Sequence, residues 1–126
     1  MLAAIAVGGA CGSTARWVVG ELVPVEGGRF PWATFGVNVT GSLALGVVLT
    51  LVLERFPRAR HLRPFVATGF LGAYTTYSTF AVETVTLARD GHAATAVAYA
   101  SASVVAGVAA AAAGVVAARA RTRVAV

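Results

Sequence analysis

Gly69-Phe70-Leu71-Gly72-Ala73-Tyr74-Thr75-Thr76-Tyr77-Ser78-Thr79-Phe80 is the stretch on which the fold turns. It lies inside an apolar segment long enough to cross a bilayer, for which about twenty residues suffice, yet it is built to resist being a helix. Glycine loses the most backbone freedom on ordering, and Ser and Thr hydroxyls offer the backbone competing hydrogen bonds. The composition therefore predicts a break between Gly72 and Thr76. Carbonyls freed at membrane depth must be buried in protein, face a wet cavity or bind an ion, because hydrocarbon supplies no partner. The two half-helix ends then attract opposite charges, a cation at the carbonyl end and an anion at the amide end. A kinked helix whose hydroxyls bond back to their own carbonyls is the other reading of these residues.

The rest of the chain fixes the setting. Its 126 residues make one domain, 58% hydrophobic with only 12% charged, a composition beyond that of a soluble domain. The net charge of +5 comes from arginine alone. Those arginines sit at the ends of apolar segments and form no basic face, so nucleic-acid binding is not the reading and membrane orientation is. Cys11 is the single cysteine, which excludes an intrachain disulfide and reads as a small buried residue. No positive leader precedes the first apolar run, so that run is expected to stay as a membrane helix and not to be cleaved as a signal peptide.

Four apolar segments reach spanning length: Leu2 to Val23, Trp32 to Leu53, Pro64 to Leu87, and Ala93 to Ala118. Pro24, Gly27, Gly28 and Pro31 punctuate the first connection, Pro57 the second and Asp90-Gly91 the third. The predicted class is thus an all-α membrane protein of four transmembrane helices, the third broken at its centre, forming a single domain over residues 1–126. An enzyme is not expected, since no acid, base and nucleophile converge at membrane depth.

Polar residues inside these segments are the candidates for function. In the first helix Gly9, Gly12 and Gly20 form a small-residue seam interrupted by Arg16. A guanidinium there either faces a wet cavity or a partner, at a cost of at least about 2.5 kcal/mol at the bilayer centre, or snorkels to the interface. In the second helix Asn38, Gly41 and Ser42 share a face, and Asn38 reads either as glue between helices or as a ligand contact. Past the break, Tyr77 and Phe80 form an aromatic stripe leading toward Glu83, which reads as a carboxylate at the interface. Ring edges carry positive quadrupole density and can favour an anion. In the fourth helix Tyr99 and Ser103, one turn apart, read as a hydroxyl track or as an anchor and a packing residue. Ala106, Gly107, Ala110 and Gly114 add a close-packing surface that points to further subunits.

Arg55, Arg58, Arg60 and Arg63 lie in the second loop, and Arg119, Arg121 and Arg123 end the chain, against Arg29 and Arg89 on the other side. Seven against two places both termini in the cytoplasm.

Taken in order, Gly8-Gly9-Ala10-Cys11-Gly12 with Arg16, Gly36-Val37-Asn38-Val39-Thr40-Gly41-Ser42, and Gly69-Phe70-Leu71-Gly72 with Thr75-Thr76-Tyr77-Ser78-Thr79-Phe80 resemble the Fluc fluoride channels, also called CrcB proteins. The resemblance covers all four helices. It implies a fluoride-selective channel of the inner (plasma) membrane that lets cytoplasmic fluoride escape passively, built as an antiparallel dimer with two pores. It also implies a structural sodium ion, held in the broken helix by the backbone carbonyls of Gly72 and Thr75. The family's pore positions fall on Asn38, Tyr77 and Phe80, its polar track on Ser78, Thr79, Tyr99 and Ser103, and its vestibule arginine on Arg16.

Three features depart from the family pattern. Tyr77 stands where phenylalanine is usual, and Gly107 where a hydroxyl residue often follows Ser103. The arginine bias also differs from the balanced loops of a protein that inserts both ways. The partner is therefore a second copy in antiparallel orientation or an oppositely oriented homologue. The competing readings are a small multidrug-type cation exporter, which needs a membrane-embedded acid for which Glu83 is the candidate, and a membrane assembly subunit without transport.

Overall fold

The computed structural model describes residues 1–124, apart from the side chains of Leu53, Arg123 and Val124, and its elements are all helical. Arg123, counted above among the terminal arginines, enters only through its backbone. The elements are α1 (Leu2–Leu22), α2 (Trp32–Arg55), a π-helical stretch Pro64–Leu71 that runs into the short α3 (Gly72–Tyr74), α4 (Tyr77–Arg89) and α5 (Ala93–Val124). Among the described residues three helices are long and apolar enough to cross a membrane, at Leu2–Leu22, Trp32–Val52 and Ala93–Thr122.

Helix ends follow local chemistry. α2 stops at Arg55 because Phe56 precedes Pro57, and the residue before a proline is pushed out of helical geometry. α5 runs past the predicted Ala118 to Val124, since alanine and arginine are strong helix formers and nothing there breaks the run. Gly28 (φ 78°) and Gly91 (φ 86°) turn the loops in left-handed conformations that glycine adopts without strain. A Cβ on Gly28 would strike the His92 ring, so the first and third connections meet at one end of the bundle.

Helix α2 packs along α5, α1 against Pro64–Leu71 and α3, and α4 against α5. Lipid offers no hydrophobic drive between helices, so close backbone approach must supply the attraction, and glycines provide it. A Cβ on Gly8 or Gly12 would run into the backbone of Phe65 or Phe70, and one on Gly69 into the Ile5 carbonyl. Gly46 and Gly114 do the same for α2 and α5: Gly46 faces the Ala111 carbonyl and Gly114 the Leu43 carbonyl.

This packing corrects three expectations. The seam on α1 is Gly8 and Gly12; a Cβ on Gly9 would make only ordinary contact, 4.0 Å from the Gly69 carbonyl, and one on Gly20 would meet no other element within 4 Å. Cys11 is exposed, because the buried side of α1 is the side of those two glycines. The small-residue surface of α5 is used within the chain, where Gly114 meets α2, and so it does not itself call for further subunits. The outward side of α5 instead carries Val97, Val104, Val105, Val108 and Val116, all exposed.

Candidate ion pathway at the helix break

Gly72 keeps helical dihedrals (φ −63°, ψ −32°), but Thr75 (φ −75°, ψ 157°) and Thr76 (φ −147°, ψ 121°) take extended backbone before α4 begins. Thr76 caps α4: its Oγ1 accepts from the Thr79 backbone N–H at 3.1 Å. The Thr75 hydroxyl bonds back to the Leu71 carbonyl at 3.0 Å, so it gives up its proton locally.

Side chains from α1 and α2 take over the backbone groups released at this step. Asn38 holds both polar groups of Thr76, donating from Nδ2 to its carbonyl at 2.9 Å and accepting its N–H at Oδ1 at 2.8 Å. Arg16 Nη1 donates to the Thr75 carbonyl at 3.2 Å. The Gly72 carbonyl loses the donor that a continuous helix would give it, since the Thr76 N–H is committed to Asn38. Gly41 lets α2 come close: a Cβ there would collide with Thr75 Cγ2 and crowd the Tyr74 ring.

Two cavities flank this clamp. The larger, about 360 Å³, is walled by Asn38, Gly72, Thr75, Thr76, Tyr77, Phe80 and Ser103, with Ser42 and Gly107 beside them. The smaller, about 220 Å³, is walled by Arg16, Thr34, Thr76, Thr79 and Glu83. Thr76 contributes to both walls. In the larger cavity the Tyr77 and Phe80 rings lie with centroids 5.9 Å apart and tilted by 46°. Ser103 Oγ is buried there without a hydrogen-bond partner.

The expected site residues thus divide. Asn38, Tyr77, Phe80 and Ser103 share the larger cavity, together with Gly72 and Thr75; Arg16 and Thr79 lie on the smaller. Ser78 is exposed, and its hydroxyl sits 3.3 Å from that of Thr76. Tyr99 lines neither cavity. It is fully buried, its ring against Phe30 and Phe80 at 5.3 Å each, so it is not the interfacial anchor that its chemistry allowed. Its hydroxyl donates to Glu83 Oε2 at 2.7 Å, while Thr34 donates to Oε1 at 2.9 Å. Glu83 is therefore no free interfacial carboxylate but the acceptor of a half-buried polar cluster facing the smaller cavity.

Thr34 and Thr76 are the contributors that sequence reasoning passed over. Thr34 sits one turn before Asn38 on the same helical face, a spacing that was available as a signal. Thr76 precedes Ser78 and Thr79 as an N-cap should, but a Thr-rich run hides which hydroxyl does the capping.

The chain was compared with known proteins. A family profile described as CrcB-like protein, Camphor Resistance (CrcB), matches residues 3–115. The chain is 43% identical to a Streptomyces avermitilis protein named fluoride-specific ion channel FluC 2, over 82% of this chain and 66% of that one. It is 48% identical to FluC 3 of the same organism, over 76% of this chain and 47% of that one. With the fluoride-specific ion channel FluC of Paracoccus denitrificans it shares 45% identity over 80% of each. The chain thus spans between about half and two thirds of the length of the two Streptomyces relatives.

Proposed function

The chain belongs to the CrcB family and is a multi-pass membrane protein, and from that membership we propose that it is a fluoride-selective channel of the inner membrane, through which cytoplasmic fluoride leaves passively. The observation that carries the reading is the clamped break: a guanidinium and an amide hold the freed carbonyls of Thr75 and Thr76 beside a largely apolar cavity whose wall includes Asn38, Tyr77 and Ser103.

Fluoride is small and strongly hydrated, so a path through the membrane must replace its water with donors. Asn38 gives one amide hydrogen to Thr76 and keeps a second, and Ser103 and Tyr77, each carrying a hydroxyl, help to wall the same cavity. The Tyr77 and Phe80 ring edges add positive quadrupole density where no hydroxyl reaches. Arg16, on the wall of the smaller cavity, draws anions toward the clamp.

The same reading makes Pro64–Tyr74 and Tyr77–Arg89 two half-helices of a fourth crossing and pairs two chains antiparallel, with two pores. The donor set at the break suits sodium: carbonyl oxygens of unwound membrane helices are ligands for it, and Gly72 and Thr75 supply one each per chain. Bound there, sodium supplies fixed positive charge to the pore walls. The Arg16 contact uses one lone pair of the Thr75 carbonyl and leaves the other. Seven cytoplasmic-side arginines against two favour insertion in one direction, for which the antiparallel partner is an oppositely inserted homologue; equal insertion both ways makes it a second copy.

A cation exporter is the weaker reading because both oxygens of Glu83, the acid it needs, are occupied by Thr34 and Tyr99. The test is efflux from proteoliposomes loaded with fluoride or chloride, containing this chain alone or with a coexpressed homologue. Fluoride is expected to leave and chloride to stay. Retention of fluoride in both preparations sinks the reading.

A further inference from the structure

We infer that Ser42 is a pore-lining donor, and that its hydroxyl serves the ion across a gap that Gly107 leaves in α5. The inference deepens the channel reading above and rests on it.

The wall of the larger cavity holds few hydroxyl protons that are free. Thr75 donates to the Leu71 carbonyl and Thr76 to Thr79 Oγ1 at 3.0 Å, so neither hydroxyl has a proton to offer. The hydroxyls left over in that wall are those of Tyr77, Ser103 and Ser42. The other hydroxyls on α2 are already committed: Thr34 donates to Glu83 Oε1 at 2.9 Å, Thr40 to the Gly36 carbonyl at 2.6 Å and Thr50 to the Gly46 carbonyl at 2.8 Å. Among the described residues Ser42 makes no such bond. It lies one turn beyond Asn38 on the cavity face, which continues the line of donors away from the clamp.

Gly107 stands one turn after Ser103 on the opposing helix and contributes no side chain. The position that a Cβ would take there lies 3.7 Å from Ser42 Oγ. Along this part of the wall α5 therefore supplies no donor, and α2 supplies one at the same place. A hydroxyl added to residue 107 would occupy nearly the same position from the other side.

The experiment compares fluoride efflux from proteoliposomes of wild type, Ser42→Ala and the double variant Ser42→Ala/Gly107→Ser, with assembly checked by size exclusion. Wild type must conduct, alone or with the coexpressed homologue; if it conducts in neither preparation, the channel reading fails, whatever Ser42 does. With a conducting wild type, Ser42→Ala is expected to slow fluoride by about tenfold, the scale of one hydrogen bond to a charged group. The double variant is expected to recover most of that loss, which a packing role for Ser42 would not produce. Efflux at the wild-type rate in Ser42→Ala, or a double variant as slow as the single one, overturns the inference.

Discussion

Asn38 grips Thr76 by both of its backbone groups, with its amide nitrogen 2.9 Å from the carbonyl and its amide oxygen 2.8 Å from the nitrogen. One side chain on α2 thus does what the helix ladder does elsewhere in the bundle. Of the two readings that its sequence context left open, the bond to Thr76 supports glue between helices; it uses one amide hydrogen and leaves the second for the ligand role proposed above.

Asn38→Asp keeps the acceptor for the Thr76 N–H and removes the donor for its carbonyl, leaving two oxygens face to face. An unsatisfied buried carbonyl costs about 1–3 kcal/mol, more where a charge is buried beside it. The variant is expected to melt at lower temperature in detergent and to conduct fluoride more slowly. Unchanged melting with unchanged flux would show that the grip on Thr76 is dispensable.

Arg16 answers for the neighbouring carbonyl. Arg16→Gln can still reach toward Thr75 with an amide, but it takes the positive charge out of the smaller cavity. Fluoride efflux is expected to fall, and to fall most at low ionic strength, where a fixed charge steers anions least screened. An equal loss at all salt concentrations would assign Arg16 to holding the break alone.

The helical class and the positions of three long apolar segments were legible because they rest on composition: apolar length, with glycine and proline at the connections; the hydroxyl residues likewise marked where helical backbone gives way at Thr75 and Thr76. The contacts that organise the site were not. No periodicity says that the second turn of α2 will reach Thr76, or that Glu83 will be met by Thr34 and Tyr99, because these depend on how helices distant in sequence cross. The same limit explains the glycines. Gly8, Gly9, Gly12 and Gly20 look equivalent along α1, and only the crossing with Pro64–Leu71 selects Gly8 and Gly12. Tyr99 is the sharpest case: a tyrosine in a membrane helix suits an interface or a pore, yet here it is buried among Phe30, Phe35 and Phe80.

That selection can be measured. Gly114→Ala would push a methyl into the Leu43 carbonyl, whereas Gly20→Ala meets nothing within 4 Å. Overpacking of this kind costs about 1–3 kcal/mol, while alanine in an open helical position is favoured over glycine by about 0.8–1.0 kcal/mol. Thermal unfolding in detergent is expected to drop for the first variant and to hold or rise for the second. Equal melting temperatures would mean that α2 and α5 do not approach as closely as their backbones are placed.

Phe80 sits between two roles in the same way as Asn38. Its ring packs near Tyr99 with centroids 5.3 Å apart, and it also lines the larger cavity with Tyr77, 5.9 Å away. Phe80→Ile keeps an apolar side chain against Tyr99, so the bundle is expected to assemble and to melt within about 1.5 kcal/mol of wild type, as a swap between hydrophobic residues of similar size generally does. It removes the ring edge, and with it the only kind of positive surface that an apolar side chain can offer an anion. Fluoride efflux is therefore expected to fall severalfold or more in proteoliposomes while size exclusion shows the same assembly. Flux at the wild-type rate would return Phe80 to packing and leave the anion to the hydroxyl and amide donors of the opposite wall.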